Sequence, residues 1–187
     1  KTSYFKTITM ETIHQENAKD LSVSMGRVQI LVLPLIFASL LLMIPYAVIW
    51  GLEAFALAWK GFFDSLWFLP IIFGGIVAHE LIHAFTWQQL AGLRWTEMKL
   101  GFQWKTLTPY AHAKKPMKMM PYRWGAFMPA LVLGFIPYFF SLATGIGWVF
   151  VCGVMFITAA ARDFWILYVL RNEARESWVA DHPENAG

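Results

Sequence analysis

The 187-residue sequence has few charged residues: 14% are Asp, Glu, Lys or Arg, against about 25% in an average soluble domain. Its single cysteine, Cys152, excludes an internal disulfide framework and a metal site built from cysteines alone. Hydrophobic residues make up 58% of the chain, which excludes intrinsic disorder. Fifteen basic against twelve acidic residues is an excess too small to favour a nucleic-acid partner. The composition therefore predicts a polytopic membrane protein.

Four apolar stretches are long enough to cross a membrane, which takes about 20 residues in a helix. We predict spans at about residues 28–50, 65–91, 124–143 and 145–171. Almost no loop separates the last two, so they should form a tight antiparallel hairpin of helices. The first stretch is too long for the apolar region of a signal peptide. The predicted fold class is an all-α polytopic membrane protein with a four-helix transmembrane domain over residues 28–171.

The connection between the second and third spans, residues 92–123, carries a strand pattern. Apolar and polar side chains alternate through the run EMKLGFQWK that begins at Glu97. A period of two favours β-strands. We therefore predict a small strand or hairpin element between Trp95 and Ala113, with Pro109 ending or bending the first strand. Residues 51–64 are predicted to be a short connection that could include an interfacial turn of helix.

Basic residues are distributed unevenly around the spans. Four lie in the N-terminal segment (residues 1–27), seven lie in residues 92–123, and two lie where the C-terminal tail (residues 172–187) begins, whereas residues 51–64 hold only one. The positive-inside rule then puts both termini and residues 92–123 in the cytoplasm. The tail is predicted to start as a fraying helix end and to continue as disorder.

Within the second span, His79, Glu80 and His83 spell HELIH, an instance of HExxH. Positions i and i+4 share one face of a helix, so both imidazoles can meet one metal ion. Glu80 lies beside the first of these histidines, where it can act as a general base on water. Burying a carboxylate in a membrane span costs several kcal/mol unless it is paired or used. The pattern therefore favours a zincin site over two structural histidines with a hydrogen-bonded glutamate.

A catalytic zinc ion usually has three protein ligands and an open position. Asp163 is the only other acid within a predicted span. His83 lies nine residues before Gly92 and Asp163 lies eight before Arg171, which places them about 13 and 12 Å from the cytoplasmic ends of their helices. This matching depth predicts Asp163 as the third ligand, and the alternative is a structural ion pair.

The sequence allows several roles for each of three further features. His112, in TPYAHAKKP, could be an alternative ligand, a transition-state stabiliser or substrate-binding group, or a polar strand residue. Arg162 is predicted to reach the cytoplasmic interface or to pair with another group, because neighbours on a helix do not face each other. Gly74 and Gly75, one turn before His79, could permit close helix packing or be ordinary membrane-helix glycines.

The segments HELIHA, TLTPYAHAKKP and AARDFWIL, in this order, resemble a bacterial membrane family described as putative zincin peptidases. The resemblance covers roughly residues 65–171. HExxH in one helix, an Asp in a later helix and strands near the site also resemble a minimal site-2 protease, an intramembrane zinc metalloprotease. In site-2 proteases that Asp lies in an Asp-Gly motif, whereas Phe164 follows Asp163 here. The resemblance implies proteolysis and a bacterial cytoplasmic membrane.

The predicted function is that of a zinc-dependent intramembrane endopeptidase acting on membrane or membrane-proximal substrates. Its Zn²⁺ ligands would be His79, His83 and Asp163, and Glu80 would be catalytic. The expected partners are the lipid bilayer and a protein or peptide substrate, not nucleic acid. The main alternative is a zinc-binding membrane protein without protease activity, such as a sensor, scaffold or transporter subunit. A purely structural membrane protein leaves the acids within the spans unexplained, and a di-iron oxidase would need more than the five histidines present.

Overall fold

The computed structural model describes residues 21, 23, 25–104 and 108–180, and it is mostly helical (75%). The predictions for most of the N-terminal segment and for the last residues of the tail lie outside these residues. Within them the helices are α1 (Met25–Leu31), α2 (Leu33–Leu40), α3 (Met43–Asp64), α4 (Phe68–Ala91), α5 (Met119–Pro129), α6 (Ile136–Thr144), α7 (Gly147–Ala159) and α8 (Ala161–Val169). The strands are β1 (Met98–Gln103), β2 (Thr108–Ala113), β3 (Met117–Lys118) and β4 (Trp178–Val179).

Two helical stretches, Phe68–Ala91 and Met119–Thr144, are long and apolar enough to cross a membrane. Two bent pairs pass the same test if each is one span: α1 and α2 followed by α3, with a bend of 43°, and α7 followed by α8, with a bend of 41°. The described residues thus contain two to four candidate spans. This number fits the prediction of an integral membrane protein.

The segment after the first predicted span is more helical than predicted. Residues 51–64 belong to α3 and form several turns of helix rather than a short connection with one interfacial turn, although the break at Gly51 lies at the predicted end of the span. Half of the residues in their sequence, GLEAFALAWKGFFD, are good helix formers. Gly51 interrupts the helix with φ 89°, a backbone conformation that glycine adopts without steric cost. Ala58 and Phe62 are buried beyond this break, so packing against the core stabilises the helical continuation.

The third and fourth predicted spans form the expected hairpin. Gly145, with φ 75°, ends α6, and α7 begins at Gly147. A Cβ on Gly153 would lie 2.7 Å from the backbone nitrogen of Tyr138, so α6 and α7 pack closely because this position has no side chain. The helix of the third predicted span, α5, begins at Met119 rather than at about residue 124. A π-helical turn (residues 130–135) joins α5 to α6.

The strand prediction for residues 92–123 is confirmed, with one correction. β1 and β2 form an antiparallel hairpin in which Leu100 lies opposite Ala111 and Phe102 opposite Pro109. Pro109 therefore lies inside β2 and neither ends nor bends β1. A proline is tolerated in a strand where its missing N–H faces away from the paired neighbour.

The tail agrees with the predicted fraying helix end, but residues 178–179 form a strand where disorder was predicted. A short 3₁₀ turn (residues 170–172) follows α8, and β4 then pairs with β3. Met117 and Val179 are buried at this two-stranded sheet. Arg123 donates hydrogen bonds to the carbonyl oxygens of Leu170 and Glu173, which holds the start of the tail against α5. Two-residue strands carry no periodicity, so the sequence pattern could not indicate them.

Glu97 fixes the start of the hairpin. Its carboxylate accepts a hydrogen bond from the backbone N–H of Arg94 at 3.0 Å and forms ion pairs with Lys115 at 2.7 Å and with the Arg94 guanidinium at 3.1 Å. The backbone hydrogen bond from Arg94, followed by the contact with Lys115, lowers the pKa of Glu97 to about 2. The carboxylate therefore stays charged throughout the physiological pH range. It links Arg94, before the hairpin, to Lys115, after it.

Three hydrophobic clusters hold the described helices together, and α4 contributes to two of them. The first cluster joins α3, α6 and α7, and Ile71 and Ile72 from the first half of α4 pack against it. The second joins the second half of α4, through Ala84 and Trp87, to the hairpin, α5 and β4. The HELIH motif lies on α4 between these two anchored halves.

Candidate metal centre

Helix α4 presents the polar residues of HELIH to the interior of the protein. His79, Glu80 and His83 are 9%, 8% and 6% exposed, whereas Leu81 and Phe85 on the other face are 41% and 55% exposed. The spacing of four residues places the two imidazoles edge to face, with ring centroids 4.8 Å apart and the ring planes at 72°. The helix therefore buries its polar side chains and exposes its apolar ones, as expected of a helix in contact with lipid.

Asp163 reaches the same place from the first turn of α8. The helical backbone breaks at Ala160, and α8 is bent by 41° relative to α7. Asp163 therefore lies just after this bend. Its Oδ2 lies 3.0 Å from Nε2 of His79, and its Oδ1 lies 3.5 Å from Nε2 of His83. The structure thus brings Asp163, which matching depth had suggested, next to the two histidines of the HExxH motif.

These three side chains bring together donor atoms of the kind that zinc binds. One ligand atom from each of His79, His83 and Asp163 lies within 4.8 Å of the others. Tetrahedral zinc with bonds of about 2.0–2.2 Å holds its ligand atoms about 3.3–3.5 Å apart. The observed contacts of 3.0 and 3.5 Å are close to that value. The group could hold a metal ion, and three protein ligands would leave one position open for chemistry.

A backbone carbonyl on α5 orients His83. Nδ1 of His83 lies 2.8 Å from the carbonyl oxygen of Gly125, which can only accept, so Nδ1 carries the proton and Nε2 is free to bind a metal. The His83 ring also stacks on Trp87, with centroids 5.6 Å apart. A Cβ on Gly125 would lie 1.9 Å from Nε1 of Trp87. The missing side chain at residue 125 therefore lets α5 approach α4 closely enough to fix the histidine.

Strand β2 touches Glu80. The backbone N–H of Ala111 lies within reach of the Glu80 carboxylate. The chain itself places this carboxylate next to His79, which is the preceding residue of α4. Glu80 is buried, with 8% of its surface exposed.

Arg162 joins the site to the same strand. Its guanidinium donates to the carbonyl oxygen of Pro109 at 3.4 Å, which agrees with the prediction that it pairs with another group. It also lies close enough to interact electrostatically with both histidines and both carboxylates of the site. The sequence pattern did not indicate a role at the site for Arg162. The one sign of such a role was that Arg162 is next to Asp163 inside a predicted span.

His112 and the two glycines before the motif differ in what they contact. His112 is half-buried on β2 opposite Lys99 and is not part of the group of candidate ligands in the described residues, so its role stays a prediction. A Cβ on Gly75 would lie 1.8 Å from the Phe156 ring, whereas one on Gly74 would meet no atom within 4 Å. Gly75 alone therefore permits the close packing of α4 on α7.

Comparison with known proteins agrees with this chemistry. A family model described as "Putative zincin peptidase" matches residues 72–178, more than half of the chain and the whole of the candidate site. No curated protein matches the chain, and no solved structure does. Because the match includes the HELIH motif, the hairpin and Asp163, the chain belongs to the putative zincin peptidase family.

Proposed function

We propose that this protein is a zinc-dependent intramembrane endopeptidase, similar in architecture to a minimal site-2 protease. The observation that supports the proposal best is the convergence of His79, His83 and Asp163 on one point. Glu80 lies beside this group, where a zincin places its general base. Membership of a zincin peptidase family supports the assignment to metallopeptidases.

The protein's own groups have distinct tasks in this mechanism. His79, His83 and Asp163 would hold the zinc ion, which supplies a Lewis acid for the scissile carbonyl and acidifies water. Glu80 takes the proton from the attacking water and gives it to the leaving amine. The N–H of Ala111 holds the Glu80 carboxylate in place for both transfers.

The surroundings of the site support action on membrane or membrane-proximal substrates. The outer face of α4 is apolar and exposed beside the buried motif, as at Leu81 and Phe85. Backbone that leaves its helix inside a membrane must lie in protein or in a water-filled cavity. A substrate helix would therefore unwind locally before its peptide bond reaches Glu80, and water would approach from the cytoplasmic side, where the basic hairpin lies in the proposed topology.

The test of this function is the Glu80→Gln variant in detergent-purified, zinc-loaded protein. We expect cleavage of single-span reporter proteins and unfolded peptides to fall by about 10²- to 10⁴-fold, because the general base is lost. Zinc content should stay unchanged. The matched control is Glu53→Gln, an exposed position on α3 that should keep full activity.

Retained cleavage by the Glu80→Gln variant would contradict the catalytic role. A wild-type protein that binds zinc and cleaves none of the reporters would instead support a zinc-binding membrane protein without protease activity.

A further inference from the structure

The two contacts between β2 and the site lie on one edge of that strand. Pro109 and Ala111 are two residues apart, and alternate residues of a strand direct their backbone groups to the same edge. The carbonyl of Pro109 meets Arg162, and the N–H of Ala111 meets Glu80. The other edge of β2 is paired with β1. The free edge of the hairpin is thus turned toward the candidate site and held there at two neighbouring points.

Arg162 is well suited to hold that edge. It follows Ala161 in the first turn of α8 and precedes Asp163, so one helical turn carries both a candidate ligand and the contact to the strand. Successive side chains on a helix point in different directions, which lets Asp163 face the histidines while Arg162 faces β2. A partly buried guanidinium is always charged and offers several rigid donors, which suits it to a fixed contact with a carbonyl.

We propose that Arg162 is a positioning residue: it holds the free edge of β2 through Pro109, and the strand in turn holds Glu80 through Ala111. The assignment to catalysis rests on the proposed peptidase function. The contact between Arg162 and the strand does not rest on it, because this contact is a property of the fold.

The proposal separates the placement of Glu80 from the binding of metal. His83 is held by Gly125, and His79 by Asp163, and neither contact involves β2. Loss of the Arg162 contact should therefore leave the metal ligands in place while it frees the strand edge and Glu80. The expected kinetic result is a lower kcat with little change in KM.

The experiment compares Arg162→Met, which has similar length and no donor, with Arg162→Lys, which keeps a charged donor. Hydrogen–deuterium exchange of residues 108–113 is measured on zinc-free protein in detergent, followed by zinc content and by cleavage kinetics. We expect Arg162→Met to raise exchange of this segment and to lower kcat by about tenfold or more, the loss expected for a hydrogen bond from a charged group. Arg162→Lys should restore part of both, and zinc content should equal that of the wild type.

The matched control is Arg171→Ala, an exposed arginine whose guanidinium contacts only its own helical turn at Tyr168 in the described residues. It should change neither exchange at residues 108–113 nor kcat. Unchanged exchange in Arg162→Met, a loss of zinc, a rise in KM alone, or failure of Arg162→Lys to restore anything would each overturn the proposal. If exchange responds as expected but the wild type cleaves no reporter, the contact stands and the peptidase function fails.

Discussion

At the scale of single residues, the two candidate histidine ligands are oriented by different neighbours. His83 is fixed by a backbone carbonyl, and His79 is fixed by the carboxylate of Asp163. Asp163 contacts both histidines and is the third member of the candidate ligand group. It is therefore the residue whose removal should affect metal binding most directly.

We expect the Asp163→Ala variant to lose zinc, from about one ion per chain to a small fraction, because two histidines alone make an incomplete site. Elemental analysis of dialysed protein measures this. Zinc at about 100 times its Kd should also stabilise the wild type by about 2.7 kcal/mol, seen as a higher Tm, and should not stabilise the variant. Asp64→Ala, at an exposed position paired with Lys60, is the control. An unchanged zinc content would move the third ligand to His112.

The residues of this site differ in how far the sequence could predict them. The HExxH spacing identified both histidines and Glu80, and depth in the membrane indicated Asp163. The parts played by Ala111 and Gly125 could not be predicted, because both act through backbone atoms that come near the motif only in the folded chain. Arg162 was visible as an intramembrane charge, but its partner is also a backbone carbonyl.

At the scale of elements, the packing of α4 depends on one of two adjacent glycines. We expect Gly75→Ala to lower the Tm, because its Cβ would overlap the Phe156 ring, which is 7% exposed and has little room to move. Overpacking of this kind costs about 1–3 kcal/mol. Gly74→Ala is the matched control, and it should leave the Tm unchanged or raise it slightly, since alanine favours the helix by up to about 1 kcal/mol.

Thermal unfolding in one detergent measures both variants. Adding Phe156→Leu to Gly75→Ala should recover part of the lost stability, because the smaller side chain makes room for the methyl group. Equal Tm values for the two alanine variants would contradict the assigned contact.

The elements themselves were predictable where a pattern extends over many residues. The apolar length of α4 and the alternation in β1 are of this kind. The break at Ala160 was not predictable, because the apolar pattern continues on both sides of it. The break at Gly51, in contrast, coincides with the predicted end of the first span. β3 and β4 are too short for any period, and they exist because residues far apart in the sequence pair.

At the scale of the whole molecule, the proposed topology predicts which engineered cysteines can be labelled from each side of the membrane. The chain has one cysteine, Cys152, which is buried, so the parent protein should react slowly with a membrane-impermeant maleimide. Glu176→Cys lies in the tail and Ala143→Cys lies beside the turn between α6 and α7, and both positions are exposed. We expect spheroplasts to label only Ala143→Cys and inverted vesicles to label only Glu176→Cys. The reverse pattern would contradict the cytoplasmic placement of the C terminus.

The two contacts on the free edge of β2 also affect how the molecule behaves among other copies of itself. An open strand edge is a template for pairing with another chain, which leads to aggregation. On β2 this edge carries a proline, and its neighbouring backbone groups are engaged by Arg162 and Glu80. The residues that form the site thus also protect the hairpin along this edge from recruiting a second hairpin.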